Sequence, residues 1–289
     1  MTAGLLNINK PQGITSHDAV LAVRRITGIR RVGHAGTLDP MATGVLPICL
    51  GRATRLAKYL MATDKSYQGT VRLGVETDTY DAEGQVTRKA PVAIEKHQVI
   101  AILDNYQGTI DQIPPMYSAV KQNGQPLYKL ARQGVTVPRK ARQVTILQIE
   151  LTDWSPPEFS FMVTCSSGTY VRSIVHDLGQ QLNCGAHLTR LQRTRSGALF
   201  LENAVPLLKL TPDNWREHLL PMKLALSELA HVQFSTQEKK QLSQGQPVPR
   251  QPNHPRVELA RAETEEGGFF ALVKPSSGGA EWLPHKVFD

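Results

Sequence analysis

The stretch RVGHAGTLDPMATGVLPICLGRATR, residues 31–55, decides how this chain is read. One carboxylate, Asp39, sits among glycines and small residues, and Pro40 follows it directly. Gly33, Gly36 and Gly44 permit left-handed backbone or close approach, and Pro40 stiffens the path. The segment is therefore expected to be a shaped loop that displays its acid and packs no core of its own. Val45, Leu46, Ile48 and Leu50 form a short apolar run after it, and residues 52–61 have helical spacing, so the loop is anchored on its far side. On spacing alone, an Asp-Pro beside glycines reads as a turn whose carboxylate caps local amides. A phosphate cradle fails, because no Gly-Lys-Ser/Thr closes a Walker loop and no Gly-x-Gly-x-x-Gly follows a strand. His34 and Asp39 have no second His or Cys at ligand spacing, so no metal is expected.

The rest of the chain sets the class. Its 289 residues suit two domains, one large and one small. A hydrophobic fraction of 40% and a charged fraction of 20% fit a soluble globular protein, with no stretch of bilayer-spanning length. Residues 1–16 lack the basic and apolar regions of a secretory signal, and a cytoplasmic location is expected. Cys49, Cys165 and Cys184 are odd in number and widely spaced, which reads as buried thiols. A net charge of +8 and a pI near 9.5 favour an anionic partner. Residues 112–149 contain no acid after Asp111 but carry Lys121, Lys129, Arg132, Arg139, Lys140 and Arg142; residues 178–201 repeat the pattern with Arg190, Arg193 and Arg195. A charge run is ordinarily a solvated face. Two long acid-free basic stretches shift the balance to nucleic acid, and away from a membrane, since neither makes a long amphipathic helix.

Local patterns give the elements. Residues 5–9 read as a strand ended by the Lys10-Pro11-Gln12-Gly13 turn, and Ser16 is the expected N-cap of a helix that stops at Gly28. Residues 66–74 alternate, with Tyr67, Gly69, Val71 and Leu73 on one face; a Tyr there is by itself a core residue with a satisfied hydroxyl. Residues 77–84, TDTYDAEG, are acidic but lack EF-hand order, so a polar hairpin turn is expected. A helix is expected over 92–106. Two prolines, Pro114 and Pro115, then open a basic insertion over about 115–142 with a short helix near 127–132, and Tyr117 is placed to stack on a base. Residues 144–151 and 159–165 form an antiparallel hairpin with a phase slip in its first strand. Ser167-Gly168-Thr169 opens a helix carrying Arg172 near its N-terminus, against the dipole preference, so something other than the helix favours a cation there. Residues 187–197 extend, with Leu191 a bland core leucine. A boundary is expected near 230, followed by a strand-rich segment too small for an independent core, which leans on the first domain.

The ordered strings Gly33-His34-Ala35-Gly36-Thr37-Leu38-Asp39-Pro40 and Ala42-Thr43-Gly44-Val45-Leu46-Pro47 resemble the catalytic motif of the TruB family, the bacterial tRNA pseudouridine(55) synthases. Lys10-Pro11-x-Gly13-x-Thr15-Ser16, residues 77–84, 167–172 and 187–197 resemble further motifs of that family, in order; residues 278–288 loosely resemble a PUA-type RNA-binding domain. The resemblance implies an α+β fold with a mixed, mainly antiparallel sheet and flanking helices over 1–229, a thumb-like insertion, and a small β-rich PUA-like domain over 230–289. It implies isomerisation of a flipped-out uridine, U55 of a tRNA T loop, with no cofactor and no metal. Asp39 is then the nucleophile, Tyr67 packs on the uracil and shares in proton transfer, Arg172 pairs with Asp39, Leu191 lines the pocket floor, and His34 fills the flipped-base region. RNA contacts are expected from Lys10, Arg132, Arg139, Lys140, Arg142 and Arg193, in a protein acting as a monomer on the T stem-loop. A competing reading is a non-catalytic tRNA-binding module or RNA chaperone. A third, an aspartyl phosphatase, wants Asp-x-Asp, and position 41 is Met.

Overall fold

The computed structural model describes residues 2–288; Met1 and Asp289, the outer ends of the two expected domains, lie outside the described residues. Strand β1 (Gly4–Lys10) leads into helix α1 (Ser16–Thr27). The N-cap of α1 is Thr15, not Ser16: the Thr15 hydroxyl accepts from the Asp18 amide at 3.1 Å while the Asp18 carboxylate accepts from the Thr15 amide at 2.9 Å, a reciprocal box that Ser16 cannot make. Gly28 ends the helix at φ 68°. Strands β2 (Val32–His34) and β3 (Thr43–Leu50) flank the Asp39 loop. The helical spacing of 52–61 becomes a 3₁₀ turn, Gly51–Leu56, running into helix α2 (Ala57–Ala62).

Strand β4 (Lys65–Leu73) is followed by the short hairpin β5 (Val75–Thr77) and β6 (Val86–Lys89). Helix α3 (Lys96–Asn105) starts four residues later than expected, because Glu95 and Gln98 form a capping box there. Strand β7 (Gly108–Gln112) precedes the insertion, which holds β8 (Lys121–Gln122), β9 (Gln125–Pro126) and helix α4 (Leu127–Arg132). Strands β10 (Arg142–Ser155) and β11 (Glu158–Cys165) pair as a hairpin, and the phase slip is a register shift between Ile146 and Gln148 that leaves Leu147 in solvent. Helix α5 (Val171–Gln181) and strand β12 (Ala186–Ser196) follow, then the short β13 (Leu199–Phe200) and β14 (Val205–Pro206). The last part contains β15 (His231–Phe234), helix α6 (Thr236–Ser243), β16 (Val248–Pro249), β17 (Ala260–Thr264), β18 (Phe269–Pro275) and β19 (Glu281–Val287).

The main sheet runs β14-β1-β3-β12-β4-β11-β10-β7, with β2 on β3 and β13 on β12. Among the described residues of this sheet only β1–β14 and β3–β12 pair in parallel, so it is mixed and mainly antiparallel. Helices α1, α3 and α5 bury Val20, Val23, Val99, Leu103, Ile174 and Leu178 in one core with Leu6, Ile8, Val71, Phe161 and Leu188. The second sheet, β15-β17-β18-β19-β16, is separate and β-rich, and fits the PUA-like expectation. Its Leu272 and the nearby Phe288 share a core with Leu5, Val45 and Cys49. Period-two alternation thus sends Leu6, Ile8, Leu46 and Ile48 to the helices and Leu5, Val45 and Cys49 to the C-terminal sheet. Strand β3 reads as a continuous apolar run because both of its faces are covered.

Candidate active site

The Asp39 loop is held at nearly every residue. The Ser16 hydroxyl accepts from the Leu38 amide at 2.8 Å and donates to the Leu38 carbonyl at 3.0 Å, which is the use of a serine that does not cap. Ala35 N–H donates to Pro47 O, Ala42 N–H to Asp39 O, and Gly13 N–H to Pro40 O, each within 3.0 Å. Ala35, Leu38, Met41 and Ala42 are all buried, so the loop does pack a core, contrary to expectation, while Asp39 stays partly exposed. Gly44 has φ 97°, and a Cβ there would lie 2.2 Å from the Arg193 carbonyl oxygen, so the close parallel pairing of β3 with β12 requires glycine. Gly33, by contrast, does not adopt positive φ.

Two expected RNA contacts are instead the scaffold of this loop. Lys10 is fully buried, and its Nζ donates to Pro11 O (2.9 Å), Ile14 O (2.8 Å) and Pro40 O (3.3 Å). Burial lowers its pKa to about 8, against the pull of Asp39. Arg193 is 1% exposed, with Nε on Val45 O at 2.7 Å and the two terminal nitrogens on Gly36 O at 3.0 Å and Thr37 O at 3.4 Å. Neither cation can meet a phosphate while it satisfies these carbonyls. An acid-free composition does not distinguish a surface arginine from one that braces a loop.

Arg172 reaches Asp39. Its NH2 lies 3.0 Å from Asp39 Oδ2, and its NH1 3.4 Å from Asp81 Oδ2. The same guanidinium donates to Thr79 O and Tyr117 O, both at 2.9 Å, so a 5% exposed side chain at the start of α5 is fixed at four points. This is the outside influence that places a cation near a helix N-terminus. Asp81, at 3% exposure, lies in a stretch that the sequence gives as a polar turn resembling a family motif, with no role assigned to the acid itself; its Oδ1 also accepts from the Thr79 hydroxyl at 2.6 Å and the Glu83 amide at 3.0 Å. The signal for it lies in the acidic density of residues 77–84, which no calcium-loop pattern absorbs. The Asp39 side chain is about a third exposed (36%) yet deeply surrounded by protein. Burial raises its pKa, Arg172 opposes this by charge and hydrogen bond, and Asp81 raises it further.

Tyr67 pairs across β4 with Val163 on β11 and Arg193 on β12, and packs against the helix-side core. Burial pushes its phenol pKa up, the neighbouring Arg193 guanidinium pulling the other way. Leu191 is buried in the same core. His34, half-buried at the end of β2, has a buried Nδ1 without a partner, and burial, Arg193 and His17 together lower its pKa, so its ring is neutral. Of the remaining basic residues, Arg132, Lys140 and Arg142 lie towards solvent on the insertion, whereas Arg139 is half-buried and donates to Pro114 O at 3.0 Å. Among the described residues no group of three or more His, Cys, Asp or Glu is arranged to hold a metal ion, and no helix is long and apolar enough to cross a membrane.

Residues 24–171 match the family model described as TruB family pseudouridylate synthase, N-terminal domain, and residues 172–227 the tRNA pseudouridylate synthase B C-terminal domain. The chain is 45% identical over 284 residues to tRNA pseudouridine synthase B of Syntrophotalea carbinolica, covering 96% of this chain and 90% of that protein. It is 43% identical over 290 residues to the protein of the same name from Dehalococcoides mccartyi, covering 99% and 96%. Among solved structures, a chain in the crystal structure of a Cbf5-Nop10-Gar1 complex superposes with a TM-score of 0.77 at 26% identity, covering 99% of this chain and 84% of that one. With the acid of the β2–β3 loop held against a buried guanidinium of α5, and matches that run through both, the chain belongs to the TruB family of pseudouridylate synthases.

Proposed function

We propose that this protein is a tRNA pseudouridine synthase that isomerises a flipped-out uridine, U55 of the T loop, with Asp39 as nucleophile. The reaction breaks the N-glycosidic bond of the uridine, turns the uracil and rejoins it to the ribose through C5. It is redox-neutral and needs no outside energy, so no cofactor is assigned. The observation that carries the reading is the 3.0 Å contact between Asp39 and a buried Arg172. A protein that only binds RNA gains nothing from an acid whose pKa is raised by burial, whereas a nucleophile needs a dry site and a cation that keeps it ionised. That contrast favours the enzyme over an RNA chaperone.

In this reading Tyr67 packs on the uracil and, with its proton held by burial, acts as a hydrogen-bond donor at neutral pH. Leu191 lines the pocket floor, and the neutral His34 ring fills space left by the extruded base. Arg132, Lys140 and Arg142 on the insertion contact phosphates of the T stem-loop, with the half-buried Arg139 fixing the base of the thumb through Pro114. Residues 1–229 form the catalytic domain and 230–289 the PUA-like RNA-binding domain. One chain carries every residue the reading uses, so the protein acts as a monomer.

Incubation with unmodified tRNA labelled with tritium at C5 of its uridines should release label, and mapping should place pseudouridine at position 55. Asp39→Asn should release none. Arg172→Ala should slow release while leaving tRNA affinity nearly intact. Tight, salt-sensitive tRNA binding without any release by the unaltered protein would establish the binding module instead.

A further inference from the structure

The β5–β6 hairpin meets α5 at a second place besides the Asp81–Arg172 pair. Tyr80 has φ 67°, a left-handed backbone that residues other than glycine rarely adopt. Its ring lies on the His176 imidazole with centroids 3.8 Å apart and planes 12° apart. Both rings wall a cleft of about 390 Å³ shared with Tyr117 and Arg139. Tyr80 directly precedes Asp81, and His176 follows Arg172 by four residues, on the same face of α5. The stack therefore stands one residue beyond one member of the buried ion pair and one helical turn beyond the other.

The neighbouring backbone continues this connection. Tyr80 N–H donates to Thr77 O at 3.2 Å, Tyr80 O accepts from Leu188 N–H at 3.1 Å, and Thr79 O accepts from Arg172. His176 Nδ1 is buried and makes no hydrogen bond. Burial lowers the pKa of the imidazole, with Glu76 opposing and Arg139 reinforcing the shift. A neutral imidazole with an idle nitrogen is held for the face of its ring. A left-handed residue with a side chain persists only where its surroundings over-determine it, and here the stack does so.

We propose that Tyr80 and His176 are positioning residues, a ring-on-ring clamp that holds Asp81 against Arg172 and so fixes Arg172 at Asp39. Neither touches the reacting atoms in this scheme, which rests on the isomerase reading of Asp39. The clamp acts on the rate of the bound complex and not on RNA affinity.

The test is single-turnover tritium release at saturating tRNA, with tRNA Kd from filter binding, for the unaltered protein, His176→Ala, His176→Phe, Tyr80→Gly and the Tyr80→Gly/His176→Ala pair. His176→Ala and Tyr80→Gly should each slow release roughly ten- to hundredfold, with Kd changed no more than about twofold. Slowing by Tyr80→Gly is informative, since glycine relieves the backbone while removing the ring. His176→Phe, which keeps a stacking face and loses both ring nitrogens, should recover most of the rate, and the double variant should be no slower than the slower single one. Full rate in either single variant overturns the clamp. So does His176→Phe as slow as His176→Ala, or multiplied losses in the double variant. An unaltered protein that releases no label sinks the isomerase reading and the clamp with it, whereas the variant outcomes bear on the clamp alone.

Discussion

Three influences compete at Asp39: burial raises its pKa, Arg172 pulls it down and Asp81 pushes it back up, with a raised value the outcome. Below the ordinary carboxylate value of 3.8 the residue is protonated in folded and unfolded chains alike. Above that value the unfolded chain ionises first, so the folded state loses stability as pH rises to the raised native value and carries the loss at pH 7. Asp39→Asn should then melt at the same or a higher temperature than the unaltered protein at pH 7, with any advantage vanishing below about pH 4. A lower melting temperature at pH 7 would mean that the carboxylate stabilises the fold. The same signs apply to catalysis. If ionised Asp39 is needed, the acid limb of the rate profile reports its pKa, and Asp81→Asn, which removes a raising charge, should move that limb to lower pH.

At the scale of elements, the loop and the thumb answer to different physics. Gly44→Ala puts a methyl group 2.2 Å from the Arg193 carbonyl oxygen at φ 97°, where neither backbone can yield without opening the β3–β12 pairing. The expected cost is about 2–4 kcal/mol by denaturant unfolding, from backbone strain plus overpacking. The thumb is a matter of charge. Removing Arg132, Lys140 and Arg142 together should reduce the slope of log affinity for tRNA against log salt by about one for each phosphate left without its cation. Lys10→Gln should leave that slope unchanged, since Lys10 faces three carbonyls and no solvent. A slope that falls with Lys10→Gln would restore it as an RNA contact. Sequence periodicity locates β4, β10, β11 and β12, the thumb helix and even the bulge after Ile146, because alternation is a local property. It misplaces the cap of α1 and the start of α3, where reciprocal side-chain bonds choose between adjacent residues.

Across the whole molecule, the two sheets share a core. Leu5, Val45 and Cys49 pack with Leu272 and Phe288, the Arg55 guanidinium lies 4.7 Å from the Phe288 ring centroid, and Arg55 donates to Val287 O at 2.6 Å. The C-terminal sheet thus covers one face of β1 and β3, whose opposite face packs with Leu38, Met41 and Ala42 of the Asp39 loop. Phe288→Ala, at 3% exposure, should cost about 3 kcal/mol. Unfolding should stay a single transition by tryptophan fluorescence of Trp215 and Trp282, which lie in different cores. Two separated transitions would show that the sheets unfold independently.

What the sequence by itself determined is what short-range order can write: most of the strands and helices before residue 200, the basic insertion, and an acid in a string specific enough to imply a family. The tertiary structure alone decided which charges face water and which face each other. Arg193 and Arg142 are alike as letters, yet one braces the Asp39 loop from inside and the other is exposed, because burial depends on strands far apart in the chain. Asp81 likewise became part of the site only when folding set it against Arg172, 91 positions further on. The energy of an ion pair depends on distance and on exclusion of water, and neither is carried by the order of residues.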